Sequence, residues 1–142
     1  MKYQLRNLLV VFTIILTVFY SCAPEEDVPE IETDARDKFI GSSWYCDEVS
    51  QENGNSSYVV GIAKNNSTEN GIIITNFYHL GSNESLKATV SNNIISIYQQ
   101  TICEEDPYTV WGSGELINSK IYFNYYADDG AIIDTVSATY HK

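Results

Sequence analysis

Histidine is nearly missing from this 142-residue chain; His79 and His141 are the only two. The sequence has no His-Glu-x-x-His, no Gly-x-Ser-x-Gly and no Gly-rich phosphate loop. Those absences remove the familiar metalloprotease, serine hydrolase and nucleotide-binding classes. No enzyme activity, no cofactor and no metal site is expected. Positive charge is scarce as well, with 8 Lys and Arg against 19 Asp and Glu and a net charge of −11. Such a surface repels phosphate backbones and argues against a nucleic-acid partner. Proline is rare, at Pro24, Pro29 and Pro107, and the length suits one domain. The one long apolar run, Leu8 to Tyr20, has 13 residues and is short for a bilayer-spanning helix.

What is present at the front reads as a leader. Lys2 and Arg6 precede the apolar run, and no acidic residue falls before Cys22. Ser21 before Cys22 suits cleavage between them. The stretch resembles the lipobox of bacterial lipoproteins in the relaxed form of Bacteroidota, with Phe19 and Tyr20 where Leu and a small residue are usual. The resemblance implies that residues 1–21 are removed and Cys22 is lipidated. An uncleaved anchor and ordinary secretion with a free Cys22 are the alternatives. Cleavage would leave six Lys and Arg against nineteen Asp and Glu, a charge of −13. Several acyl chains hold firmly because each buried methylene contributes about 0.8 kcal/mol.

Residues 22–37 carry seven acids and two prolines and read as an extended, self-repelling tether. Glu25-Glu26-Asp27 resembles the surface-export signals of Bacteroidota lipoproteins. That implies an outer-membrane address on the cell surface, with the periplasmic face as the other choice. The membrane is then a partner through the lipid alone.

Residues 38–142 read as an all-β domain. Short alternating apolar runs are separated by Gly, Asn, Asp and Ser. Strands are expected at Ser43–Ser50, Ser57–Lys64, Gly71–Phe77, Ser85–Ser91, Ile94–Ile102, Tyr108–Ile117, Lys120–Ala127 and Ile132–Tyr140. Asp34–Ile40 looks helical, with Asp34 as N-cap. Three two-residue turns fix registers. Asn92-Asn93 sets Val90 opposite Ile95 and Ala88 opposite Ile97. Asn118-Ser119 sets Leu116, Gly114 and Gly112 opposite Ile121, Phe123 and Tyr125, so large rings face glycines. Asp129-Gly130 sets Phe123 opposite Val136 and Ile121 opposite Ala138.

These registers share one inner face: Trp44, Tyr58, Val60, Ile62, Ile72, Ile74, Leu86, Ala88, Val90, Ile95, Ile97, Leu116, Ile121, Phe123, Tyr125, Val136, Ala138 and Tyr140. Sequential hairpins with one apolar face predict an eight-stranded antiparallel up-and-down barrel, which removes exposed edges. A two-sheet β-sandwich is the alternative. Phe39-Ile40-Gly41-Ser42-Ser43-Trp44 resembles the opening of lipocalin-like (calycin) barrels, with one residue more than the usual Gly-x-Trp. Asn76–Gly81, Gly112–Leu116 and Asp134–Tyr140 extend the resemblance to small calycin-like lipoproteins of Bacteroidota, a family without a general assigned activity.

With Cys22 lipidated, Cys46 and Cys103 remain, and an oxidising envelope favours a disulfide between them. By alternation both point inward, and the bridge would contribute about 4 kcal/mol through chain entropy. Two buried free thiols are the alternative. Of the polar motifs, His79 and Glu104-Glu105-Asp106 read as exposed loop residues. Asp134-Thr135-Val136 resembles the Asp-Ser/Thr-apolar O-glycosylation site of Bacteroidota.

The outer face offers the candidate site. Trp111 pairs with Tyr126 and Tyr126 with Ile133, while Tyr122 lies nearby opposite Glu115. This aromatic patch, edged by Glu115, Asn124 and Thr109, would bind a glycan or a surface protein. Cross-strand stabilisation is the plainer use of the same rings. The other functional reading is a lipophilic ligand inside the barrel, though the large inner residues leave little room. A monomer is expected.

Overall fold

The hairpin at Asn118-Ser119 shows how this chain builds its sheet. Both residues are left-handed, with φ of 49° and 64°, the conformation a two-residue type I′ turn requires. In the computed structural model, which describes residues 33–142, this turn sets Leu116 opposite Ile121, Gly114 opposite Phe123 and Gly112 opposite Tyr125. The register is the expected one. The leader, Cys22 and the acids up to Glu32 lie outside the described residues.

Eight strands follow: β1 Gly41–Ser50, β2 Gly54–Lys64, β3 Gly71–Thr75, β4 Ser85–Ser91, β5 Ile94–Ile102, β6 Tyr108–Ile117, β7 Lys120–Asp128 and β8 Ile133–His141. Each pairs antiparallel with the next, and β8 pairs with β1, closing an up-and-down barrel. No sandwich forms. Closure leaves no unpaired edge. Of the eighteen expected inner residues all are buried except Leu116, which is half-buried. The interior is filled by Phe39, Trp44, Phe77, Phe123, Tyr125 and Tyr140, all fully buried.

The third turn differs. Asp128 faces Ile133, so residues 129–132 make a four-residue loop. Phe123 therefore faces Ala138, not Val136, and Ile121 faces Tyr140, not Ala138. The loop is built by carboxylates: Asp129 Oδ1 accepts from the amides of Ala131 and Ile132, both at 2.8 Å. Asp128 Oδ1 accepts from the Gly130 amide at 2.8 Å. Asp side chains that bind nearby amides favour such turns over a tight I′ turn. A slip of two residues keeps side-chain parity, so the inner face survives.

The two barrel ends close differently. At the front end, where β1 begins, Phe39 is buried and Trp44 Nε1 donates to its carbonyl at 2.8 Å. The helix expected over Asp34–Ile40 is two successive turns, with Asp37 N donating to Asp34 O and Phe39 N to Arg36 O, both at 2.9 Å. Seven residues scarcely repay helix nucleation, and the Asp34 carboxylate competes by binding the Arg36 amide. Asp34 and Asp37 belong to this folded unit, Thr33–Lys142, where Lys64 reaches both at 2.8 and 2.5 Å. The extra residue before Trp44 is absorbed as a bulge, because Gly41 faces Ile62 while Trp44 faces Val60.

At the far end β3 stops at Thr75, two residues earlier than expected, since Asn76 turns left-handed at φ 58°. The short 3₁₀ turn Phe77–His79 then folds over the opening. Phe77 packs on Tyr125 at 4.5 Å, and Tyr78 meets Tyr108 edge-on at 5.3 Å. Tyr78 and His79 are also left-handed, at φ 55° and 59°. Such backbone costs about 1–3 kcal/mol per residue, offset here by burying two aromatic rings.

Candidate functional site

Outward-facing positions on β6 and β7 carry the aromatic patch. Trp111 faces Tyr126, and their rings stack at 5.3 Å with planes 21° apart. Tyr126 and Tyr122 are 41% and 42% exposed, and Tyr122 faces Glu115. Ile133 does not join them. The four-residue loop moves it opposite Asp128 and sets Thr135 beside Tyr126. Tyr98, half exposed on β5, takes its place from the other side: a bulge between Ile97 and Gln100 lies opposite Gly112 to Val110, beside Trp111. The result is a stripe of Tyr98, Trp111, Tyr126 and Tyr122 over three strands. Ser113 and Asn124, paired on the same outer face, flank it. Because Trp111 and Tyr126 turn one face toward each other, the pair presents edges and its remaining faces rather than one flat platform. Rings beside amide, hydroxyl and carboxylate groups suit the C–H face and hydroxyls of a sugar.

Inside the barrel lies a polar cluster that sequence reading passed over. Glu48 is 5% exposed, and its Oε2 accepts from the hydroxyls of Tyr58 and Tyr125, the latter at 2.5 Å. Burial raises both phenols far above the ordinary tyrosine value, and the Glu48 charge adds to the rise. They remain donors throughout the physiological range. Among the described residues, the Tyr140 hydroxyl, fully buried nearby, finds no hydrogen-bond partner. The signal was present: Trp44, Cys46, Glu48 and Ser50 share the inner parity of β1.

The same parity along β8 buries Asp134. It accepts from Ser50 Oγ at 2.5 Å, Tyr78 Oη at 2.8 Å, and the Gln51 and Glu52 amides at 3.0 and 3.2 Å. Burial pushes this carboxyl upward. The hydrogen bonds from Ser50, Tyr78 and the two amides outweigh it and hold Asp134 below the usual carboxylate range. A 200 Å³ recess opens at this point, lined by Asn53, Tyr78, Tyr108 and Asp129. Asp134 is thereby a clasp between the β1–β2 turn and the far-end plug. Thr135 of the glycosylation-like motif is exposed on the outer face.

The expected bridge between Cys46 and Cys103 is absent; both are free. The bulge after Ile97 inverts the parity of late β5, so Ile102 points inward and Cys103 leaves the core. β1 and β5 also stand four strands apart in an eight-strand ring, across a filled interior. Cys46 is buried, and desolvation raises its thiol to about 12. His79 is exposed and stacks on Tyr58 at 4.7 Å with planes 8° apart. Glu104, Glu105 and Asp106 are exposed loop residues. Among the described residues, no group of three His, Cys, Asp or Glu is placed to hold a metal ion.

Comparisons with known proteins identify the fold. No protein-family model matches the chain. No curated protein matches it either. Among solved structures, a redesigned β-barrel superposes with a TM-score of 0.56 at 10% identity, covering 78% of this chain and 96% of its own. The protein EF1p2_mFAP2b, solved bound to DFHBI, superposes with a TM-score of 0.53 at 10% identity, covering 78% and 99%. Both agree with a closed antiparallel barrel.

Proposed function

We propose that this protein is a lipid-anchored cell-envelope component whose barrel is a non-catalytic binding module for glycan. The resemblance of residues 1–22 to a lipobox leader, and of the later motifs to small lipocalin-like lipoproteins of Bacteroidota, supports the anchor and a surface address. The observation that carries the binding reading is the outer-face stripe of exposed Tyr98, Tyr126 and Tyr122 around the half-buried Trp111, on a barrel whose interior is occupied. Function placed on the outer wall needs no cavity. Glycan is favoured over protein because Ser113, Glu115 and Asn124 alternate with the rings instead of giving a broad apolar face.

Trp111→Ala with Tyr126→Ala should abolish retention on an affinity gel of the recognised polysaccharide, while the unfolding midpoint falls modestly. Cross-strand aromatic pairs contribute about 0.2–1 kcal/mol. Equal loss of folding and retention would remove the stripe as a dedicated site. Labelling cells with an alkyne fatty acid tests the anchor: the wild-type chain should carry label and Cys22→Ala should not.

A carrier of a lipophilic ligand is the competing reading, and the barrel solved with DFHBI gives it a precedent in architecture. The six large buried rings along the interior of this chain count against it. Native mass spectrometry of the purified protein should give the mass of the chain without a retained small molecule.

A further inference from the structure

The front end of the barrel holds a cleft of about 520 Å³, within the size range of small-molecule sites. Its floor is apolar, formed by Trp44 and Leu116. Its walls are Lys38, Lys120, His141 and Lys142, and among the described residues no Asp or Glu side chain lines it. That composition is unexpected in a chain this acidic. Residues 33–142 contain six Lys and Arg against fourteen Asp and Glu, and three of the six converge here.

Among the described residues, ion pairs join Arg36, Lys64 and His141 to Asp34, Asp37 and Asp47, and none includes Lys38, Lys120 or Lys142. Asp47, the carboxylate whose field Lys120 reaches, is already held by Ser57 and His141. Lys38 Nζ instead donates to Asn93 Oδ1 at 2.6 Å. Lys142 Nζ donates to the Ile40 carbonyl at 3.2 Å and lies 4.4 Å over the Trp44 ring. Neutral partners of this kind leave the ammonium charges available to a ligand.

We propose that this cleft binds a small soluble organic anion, a phosphate or carboxylate carried on an apolar or aromatic body. Lys120 and Lys142 would receive the anionic group, Lys38 would close over it, and the half-buried Leu116, beside the buried Trp44 ring, would take the apolar part. The cleft is distinct from the Trp111–Tyr126 stack, because Trp44 and Leu116 lie at the front end and Trp111 toward the far end of β6; Tyr122, two residues along β7 from Lys120, is the stripe residue nearest the cleft.

Calorimetry on the full chain tests this with 1-naphthyl phosphate, its neutral counterpart 1-naphthol, and phosphatidylglycerol vesicles. Naphthyl phosphate should bind one equivalent, and naphthol should bind at least about tenfold more weakly, as expected for losing a charge-assisted contact. Lys120→Gln and Lys142→Gln should each weaken naphthyl phosphate by about tenfold, whereas Lys87→Gln on β4 should leave it unchanged. Circular dichroism melts that match wild type confirm that the variants fold. Absent heat with naphthyl phosphate, equal affinity for naphthol, equal loss in the Lys87 variant, or binding to vesicles alone would each overturn the proposal.

Discussion

Asp134 joins three parts of the far end through one carboxylate: the β1–β2 turn, the plug residue Tyr78, and β8. Its pKa is held below the ordinary value, so the folded state favours the ionised form. The consequence for stability has a definite sign. The contribution is complete above the unfolded-state pKa of about 3.9 and is lost as pH falls through the lower folded value. Asp34 behaves in the same direction, because the Arg36 and Lys64 side chains and the Arg36 amide bind it. Asp134→Asn should lower stability at neutral pH by about 1–3 kcal/mol, the cost of weakening a buried hydrogen-bonded acceptor. It should also flatten the decline in stability between about pH 5 and pH 2. Urea titrations at both pH values check this, and an unaltered acid slope would show that Asp134 is not the group responsible. Cys46 and Cys103 differ as sharply. A thiol raised to about 12 is almost wholly protonated at neutral pH, and Cys46 is buried besides. Iodoacetamide applied to the native protein should therefore modify Cys103 and spare Cys46, as peptide mass mapping would show. Equal labelling of the two would mean that the core around Cys46 opens readily.

Strand β6 shows what an element can ask of one residue. A Cβ on Gly114 would fall 2.5 Å from Cδ1 and Cε1 of Phe123. That ring cannot retreat, because Tyr140 lies 4.7 Å and Phe77 6.4 Å away, centre to centre. Gly114→Ala should cost about 1–3 kcal/mol by overpacking. Phe123→Leu should be less damaging in the Gly114→Ala background than in wild type, a coupling that a double-mutant cycle measures. Additive losses would show that the two residues do not share the space. This pair was legible in the sequence because a two-residue turn lay next to it and errors had no length over which to accumulate. The inner face was legible for a related reason: β-strand parity has period two and tolerates slips of two. The third hairpin illustrates that tolerance, since its register moved and its core did not. Features that break parity or depend on distant partners stayed hidden. The β5 bulge has no strong local signal, and it reversed the side on which Cys103 lies. Tyr98 comes beside Trp111 through the β5–β6 register, in which Ile97 faces Gly112, and the longer 103–107 connection supplies no two-residue turn to fix that register. The plug at Phe77–His79 has no local signature, because its left-handed backbone is stabilised by rings on β6 and β7, far away in sequence.

Across the whole domain, charge is sorted by end. The far-end connections and the adjacent end of β7 carry Glu52, Glu84, Glu104, Glu105, Asp106, Asp128 and Asp129, with no Lys or Arg among them. The front end gathers every Lys and Arg at the barrel ends, Lys38, Lys120 and Lys142 in the cleft and Arg36 and Lys64 paired with Asp34 and Asp37. Opposite charges a barrel length apart scarcely attract through solvent, because the Debye length is about 10 Å at 0.1 M salt. Like charges crowded on neighbouring loops do repel, so the far rim carries a net electrostatic strain that the remote lysines do not relieve. Two consequences follow from one cause. The melting temperature of the wild type should rise as NaCl increases from about 10 mM to about 300 mM, since screening weakens repulsion over these distances. Glu104→Gln with Glu105→Gln should raise the melting temperature at the lower salt, and the gap from wild type should close at the higher. Both residues are exposed and neither takes part in the Asp134 clasp, so the comparison reads charge rather than packing. A melting temperature that falls with salt, or a gap that persists at about 300 mM, would show that the acidic rim is stabilised by something other than distance from its own charges.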